Sequence, residues 1–157
     1  MRIATLVMAG IAAFTTAACS DSTSPHWVQL AELEQQQSAW QSQNLHDYSF
    51  EYHHQFGGAI EAARVLVAAD TVEGAMDIDA DTAISIDQQY EWPTIDDLFA
   101  RAKSALASEN VVVTVEYDPS LGYPTRIDVS PAQVATPAGR SSTTASDLEP
   151  LAVLGAK

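Results

Sequence analysis

The chain has 157 residues, 46% of them hydrophobic and 18% charged, a balance that suits a globular domain and excludes a disordered chain. Its 21 acidic residues against 7 basic ones give a formal charge of -14, which repels phosphate backbones and anionic lipid headgroups and argues against nucleic acid as a partner. A single cysteine, Cys19, excludes an intramolecular disulfide.

Arg2 precedes an apolar run, Ile3 to Phe14, and small residues follow to Ala18. This is the order of a secretory signal peptide over residues 1–18. The run is too short to span a bilayer, which takes about 20 residues. Thr16-Ala17-Ala18-Cys19 resembles the lipobox of bacterial lipoproteins, with Thr16 where leucine is usual. The resemblance implies a diacylglyceryl group on the Cys19 thiol, cleavage after Ala18 and acylation of the new amino terminus with a fatty acid such as palmitate. An ordinary secretory signal cut at the same bond would leave Cys19 as a free thiol. Ser20, where aspartate would retain an enteric lipoprotein in the inner membrane, implies passage to the outer membrane. The expected location is the bacterial cell envelope on its periplasmic face, with lipid attachment at Cys19 as the membrane contact. Residues 19–26 then form a lipidated polar tether without apolar periodicity.

A single domain is expected over residues 27–150, with 151–157 a frayed end. Trp27, Leu30, Leu33, Gln37 and Trp40 fall at helical spacing and predict an amphipathic helix ending near Asn44, both tryptophans anchoring it to a sheet. Tyr48, Phe50, Tyr52 and Phe56 alternate with Ser49, Glu51, His53 and Gln55, a half-buried strand that Gly57-Gly58 ends. His46, His53 and His54 invite a metal reading. Neighbouring strand residues face opposite ways, however, so His53 and His54 do not readily share an ion. A second strand is expected from Ala62 to Ala69, a turn from Asp70 to Gly74 with Gly74 at positive φ, and a third strand from Ala75 to about Ile78. Asp77, Asp79 and Asp81 match the start of a calcium loop, but its sixth and twelfth positions hold Thr82 and Gln88 instead of glycine and glutamate. No metal or cofactor residues are assigned, and the aspartates read as a solvated loop or edge strand.

After Trp92-Pro93, Thr94 is placed as an N-cap with Asp97 as its capping-box partner, and Asp96 and Asp97 complement the helix dipole. Ile95, Leu98, Phe99, Ala102 and Leu106 make the apolar stripe, Arg101 and Lys103 suit the far end, and Asn110 is the expected left-handed cap. Val111 to Tyr117 follows as a β-branched strand, Val111, Val113, Val115 and Tyr117 on one face. Asp118-Pro119-Ser120-Leu121-Gly122 is turn chemistry, and Tyr123-Pro124 opens a second strand carrying Ile127 and Val129. No residue of this stretch is assigned a catalytic role, since capping, packing and turning account for each.

Thr94 to Phe99 and Tyr117 to Pro124, together with Trp40, Leu45 to Phe50 and Ala145 to Leu151, resemble a family of small bacterial exported proteins, many of them lipoproteins, to which no function is assigned. The resemblance covers roughly Trp40 to Leu151. Its members often carry cysteines after the first strand; none stands here, so no role tied to them passes to this chain. By composition Ala132 to Gly139 is a loop and Arg140 to Ser146 a Ser/Thr-rich stalk, whereas the resemblance implies a last edge strand leading into Asp147-Leu148.

The expected fold is α+β, an antiparallel sheet of about five or six strands with two helices on one face. The expected role is a non-enzymatic, membrane-anchored module that binds an envelope protein or peptide through a sheet edge or open face. The alternatives are a metal-assisted hydrolase using His53 or His54 with Asp77 to Asp81, and a purely structural envelope protein. Any functional surface is expected in the middle segment, Phe56 to Gln89.

Overall fold

In chain order the elements are α1 (His26–Ser42), β1 (Tyr48–Phe56), β2 (Ala59–Ala68), β3 (Thr71–Met76), α2 (Ile95–Leu106), β4 (Val111–Tyr117), β5 (Pro124–Pro131) and β6 (Ser141–Pro150). They are seen in a computed structural model that describes residues 25–78, 82–84, 92–133 and 139–151. The signal segment, Cys19 and most of the tether lie outside the described residues, as do Asp79, Asp81 and residues 134–138 and 152–157. Among the described residues no helix is long and apolar enough to cross a membrane.

The six strands form one antiparallel sheet in the order β3-β2-β1-β6-β5-β4, and both helices lie against one face, an α+β fold. Strand alternation sorts the residues. Tyr48, Phe50 and Tyr52 on β1, Val65 and Val67 on β2, Ala145 on β6, Ile127 on β5 and Val113 and Val115 on β4 all enter the core. They meet Leu33 and Trp40 of α1 and Ile95, Leu98, Phe99, Ala102 and Leu106 of α2. The opposite face contributes nothing to this core. It carries Glu51, His53, Arg64, Arg126, Asp128, Ser142 and Thr144 in cross-strand rows, among them an Arg64–Glu51 ion pair of 2.6 Å. The sheet thus has a helix side and an open side.

Helix α2 forms where its capping signals lie. The Thr94 side chain accepts from the Asp97 backbone N–H at 3.1 Å, and the Thr94 N–H donates to the Asp97 carboxylate at 2.9 Å. Asp96 does something else. The Trp40 indole donates to its carboxylate, while burial raises its pKa above the usual carboxylate range. The first helical N–H, that of Ile95, donates to the buried Tyr48 hydroxyl at 3.1 Å, which ties α2 to β1. Asn110 does have positive φ, 61°, but the helix closes earlier at Ala107, so Asn110 turns the chain into β4 instead of capping α2.

Four expectations are corrected. The last strand is not at an edge: β6 runs between β1 and β5 and joins the β3-β2-β1 half to the β5-β4 half. Its small Thr143 and Ala145 are buried beside the large aromatics of β1, which supply the volume that β6 lacks. At Asp147, φ 50°, a bulge sets two residues of β6 against one of β1. The turn after β2 is Ala69-Asp70, both at positive φ, and Gly74 lies inside β3 opposite Leu66. That strained pair is held by neighbours, since the Ala69 N–H donates to the Asp47 carboxylate at 2.9 Å and the Asp70 N–H to the His46 carbonyl at 3.2 Å. The second and third strands both begin earlier than expected, at Ala59 instead of Ala62 and at Thr71 instead of Ala75, and the third ends at Met76. Finally, Trp27 is 73% exposed and anchors nothing among the described residues, whereas Gln29 takes the buried position one turn before Leu33.

Candidate functional site

The β1–β2 hairpin turns on Gly57-Gly58, with Phe56 paired to Ala59 across it and φ of 56° and 94° at the two glycines. These angles are those of a two-residue turn that follows the sheet's own twist. Both large side chains flanking it are solvent-facing: Phe56 is 55% exposed and Ile60 is 69% exposed. By alternation Phe56 stands on the helix side and Ile60, opposite Gln55, on the open side.

A cleft opens on each side of this tip. The open-side cleft has a volume of about 820 Å³ and is lined by Gln55, Gly57, Gly58, Arg126, Asp128, Val129, Ser130, Arg140, Ser141 and Ser142. Gln55, Ser142 and Asp128 form one row across β1, β6 and β5. Arg126 Nε donates to Asp128 Oδ2 at 2.7 Å, and Glu116 sits opposite Arg126 on β4. The Asp128 hydrogen bond, its charge and that of Glu116 together raise the Arg126 pKa, so this arginine is compensated. Arg140, just before β6, is exposed and makes no ion pair among the described residues.

The helix-side cleft is smaller, about 290 Å³, and is lined by Tyr52, His54, Phe56, Ala59, Glu61 and Arg101. Arg101 Nη1 donates to the Tyr52 hydroxyl at 3.0 Å, and His54 Nδ1 lies 2.9 Å from the Thr143 hydroxyl. Burial raises the Tyr52 pKa, opposed by the Arg101 charge and hydrogen bond, so the phenol stays protonated. Tyr52 stacks on His54 at 6.3 Å and takes the edge of Trp92 at 5.8 Å.

His46, His53 and His54 do not converge. His53 is exposed on the open side between Ala62 and Thr144, His54 is on the helix side, and His46 Nδ1 bonds the Asp70 carboxylate at 2.8 Å. Asp77 begins a short extension beyond β3, its N–H donating to the Thr82 carbonyl at 2.8 Å while Met76 bridges Ala83. Among the described residues no three His, Cys, Asp or Glu side chains gather where they could hold a metal ion. Of the middle segment, Gly57 and Gly58 line the open-side cleft and Phe56 and Ala59 the helix-side one, and β5 and β6 complete the open-side cleft. Arg126 and Arg140 were not legible as site residues. The one available signal was scarcity, since each basic residue stands out in a chain with only 7 of them.

A single six-stranded antiparallel sheet carrying two helices on one side, with clefts at one hairpin, defines a small α+β domain. The chain matches the model described as Family of unknown function (DUF6174) over residues 32–150, and it belongs to that family. No curated protein and no solved structure matches it.

Proposed function

We propose that the protein is a lipoprotein of the bacterial cell envelope, anchored through Cys19 on the periplasmic face of the outer membrane, whose domain binds a protein or peptide partner without catalysis. The observation that carries the binding reading is the β1–β2 tip, where Phe56 and Ile60 are exposed between two clefts. Burying such side chains in a partner contributes about 1.5–3 kcal/mol each. Thr16 to Cys19 supports the anchor, each acyl methylene contributing about 0.8 kcal/mol in the membrane. Residues 19–25 reach at most about 25 Å when extended, which keeps the domain near the bilayer that its acidic surface repels.

Two measurements test the reading. Radiolabelled palmitate should enter the wild type and not a Cys19→Ala variant; equal labelling would sink the anchor. A photo-crosslinking p-benzoylphenylalanine at position 56 or 60 should trap one discrete envelope protein in cells. Trapping no greater than from position 34, on the exposed helix surface, would overturn the binding reading.

A further inference from the structure

We infer that the open-side cleft is a carboxylate-binding site anchored by Arg140, which receives the carboxyl-terminal chain end of the partner. The inference rests on the binding reading above and names the chemistry the cleft selects. The surroundings are acidic, 21 acidic residues against 7 basic, yet the cleft gathers two arginines against one aspartate. Arg126 is already engaged, 2.7 Å from Asp128. Arg140 has no ion pair among the described residues, so its planar fork of donors is available for a bidentate contact.

The rest of the lining offers what a carboxylate needs. Gln55 and Ser142 lie side by side across β1 and β6 and provide an amide and a hydroxyl donor. Gly57 and Gly58 present bare backbone, and even a Cβ there would meet nothing within 4 Å, so a ligand can approach the turn closely. Ile60 lies on the same side opposite Gln55, exposed, where an apolar group beside the carboxylate would rest. Charge selects between oxyanions. The cleft's single surplus cation matches one carboxylate, while the second charge of a phosphate would face Asp128 and the acidic surface.

The test titrates the purified full chain with acetyl-Ala-Ala-Leu bearing a free carboxyl terminus, with the same peptide amidated, and with inorganic phosphate, following backbone amide resonances. The free acid should shift Gly57, Gly58 and Ser142 saturably, and the amide and phosphate should not. Arg140→Gln should weaken binding about tenfold and Arg140→Lys should restore part of it. Arg140 is exposed, so these variants leave the fold intact. Absence of shifts with the acid, equal binding of the amide or of phosphate, or wild-type affinity in Arg140→Gln would each overturn the assignment. If positions 56 and 60 trap a partner while the acid does not bind, only this inference fails. If the acid binds and nothing is trapped, only the partner reading fails.

Discussion

Two hairpins of this sheet turn on glycine at positive φ, and the two turns carry opposite burdens. In the β4–β5 turn, a Cβ on Gly122 would sit 2.9 Å from the Gln36 carbonyl and 3.1 Å from the Ala39 Cβ, both on α1. Asp118 Oδ1 accepts from the Ser120 and Leu121 N–H groups at 2.9 and 2.8 Å, and Tyr123 follows, buried with its ring 6.1 Å from Trp40. The turn is locked by strain, space and hydrogen bonds together. In the β1–β2 turn, Gly57 and Gly58 answer only to φ, and the neighbouring apolar side chains face solvent. The same residue type therefore marks a structural joint at one turn and a free surface at the other, and only what surrounds it tells them apart.

The largest perturbation tests whether the two hairpins depend on each other at all. They belong to halves of the sheet that β6 joins, so a chain ended after Gly139 should show no cooperative unfolding by circular dichroism; a retained sharp transition would mean each half stands alone. Gly122→Ala meets both strain and overlap and should cost about 2–4 kcal/mol in urea unfolding, whereas Gly58→Ala, strained only, should cost about 1 kcal/mol. Equal losses would erase the distinction between the turns. Tyr48→Phe leaves the buried Ile95 N–H without its acceptor and should cost about 1–2 kcal/mol with the fold retained, read from the same denaturation curves.

The locked turn should also be sensitive to acid. Burial works against ionisation of Asp118, but the hydrogen bonds from the Ser120 side chain and the Leu121 and Ser120 N–H groups outweigh it and lower its pKa. A carboxylate whose folded pKa is depressed adds stability that is present above the unfolded pKa of about 3.9 and is lost as pH falls through the folded value. Asp118→Asn should therefore lose less stability than wild type below about pH 4; parallel pH curves would refute this contribution. The smallest effect is expected at the free turn. Phe56→Ser combined with Ile60→Ser should change stability by no more than about 0.5 kcal/mol, and a substantial destabilisation would show that the tip is structural after all.

Where a signal was local, the element was legible. The aromatic alternation from Tyr48 to Phe56, the Thr94–Asp97 box, the Asp118–Gly122 turn and the Val111–Tyr117 strand all stand where their residues place them, because caps, turns and strand alternation act within a few residues. Where a signal depended on a distant partner, the reading failed or fell silent. Trp27 shared helical spacing with Leu33 and Trp40, yet it is exposed while they are buried. Ala69-Asp70 turns the chain without glycine because Asp47 and His46 supply the hydrogen bonds.

By itself, then, the order of residues determined two capped or amphipathic helices, four of the strands in outline and the composition of an acidic globular domain. Tertiary structure alone decided that the Ser/Thr-rich segment from Ser141 to Pro150 enters the middle of the sheet, and so which residues share a cleft. The physical reason is that β6 has little side-chain volume and no strong local preference. Its position is set by the two strand edges it satisfies and by the aromatics of β1 that fill the core beside it, and that pairing brings Gln55, Arg126 and Arg140 to one place.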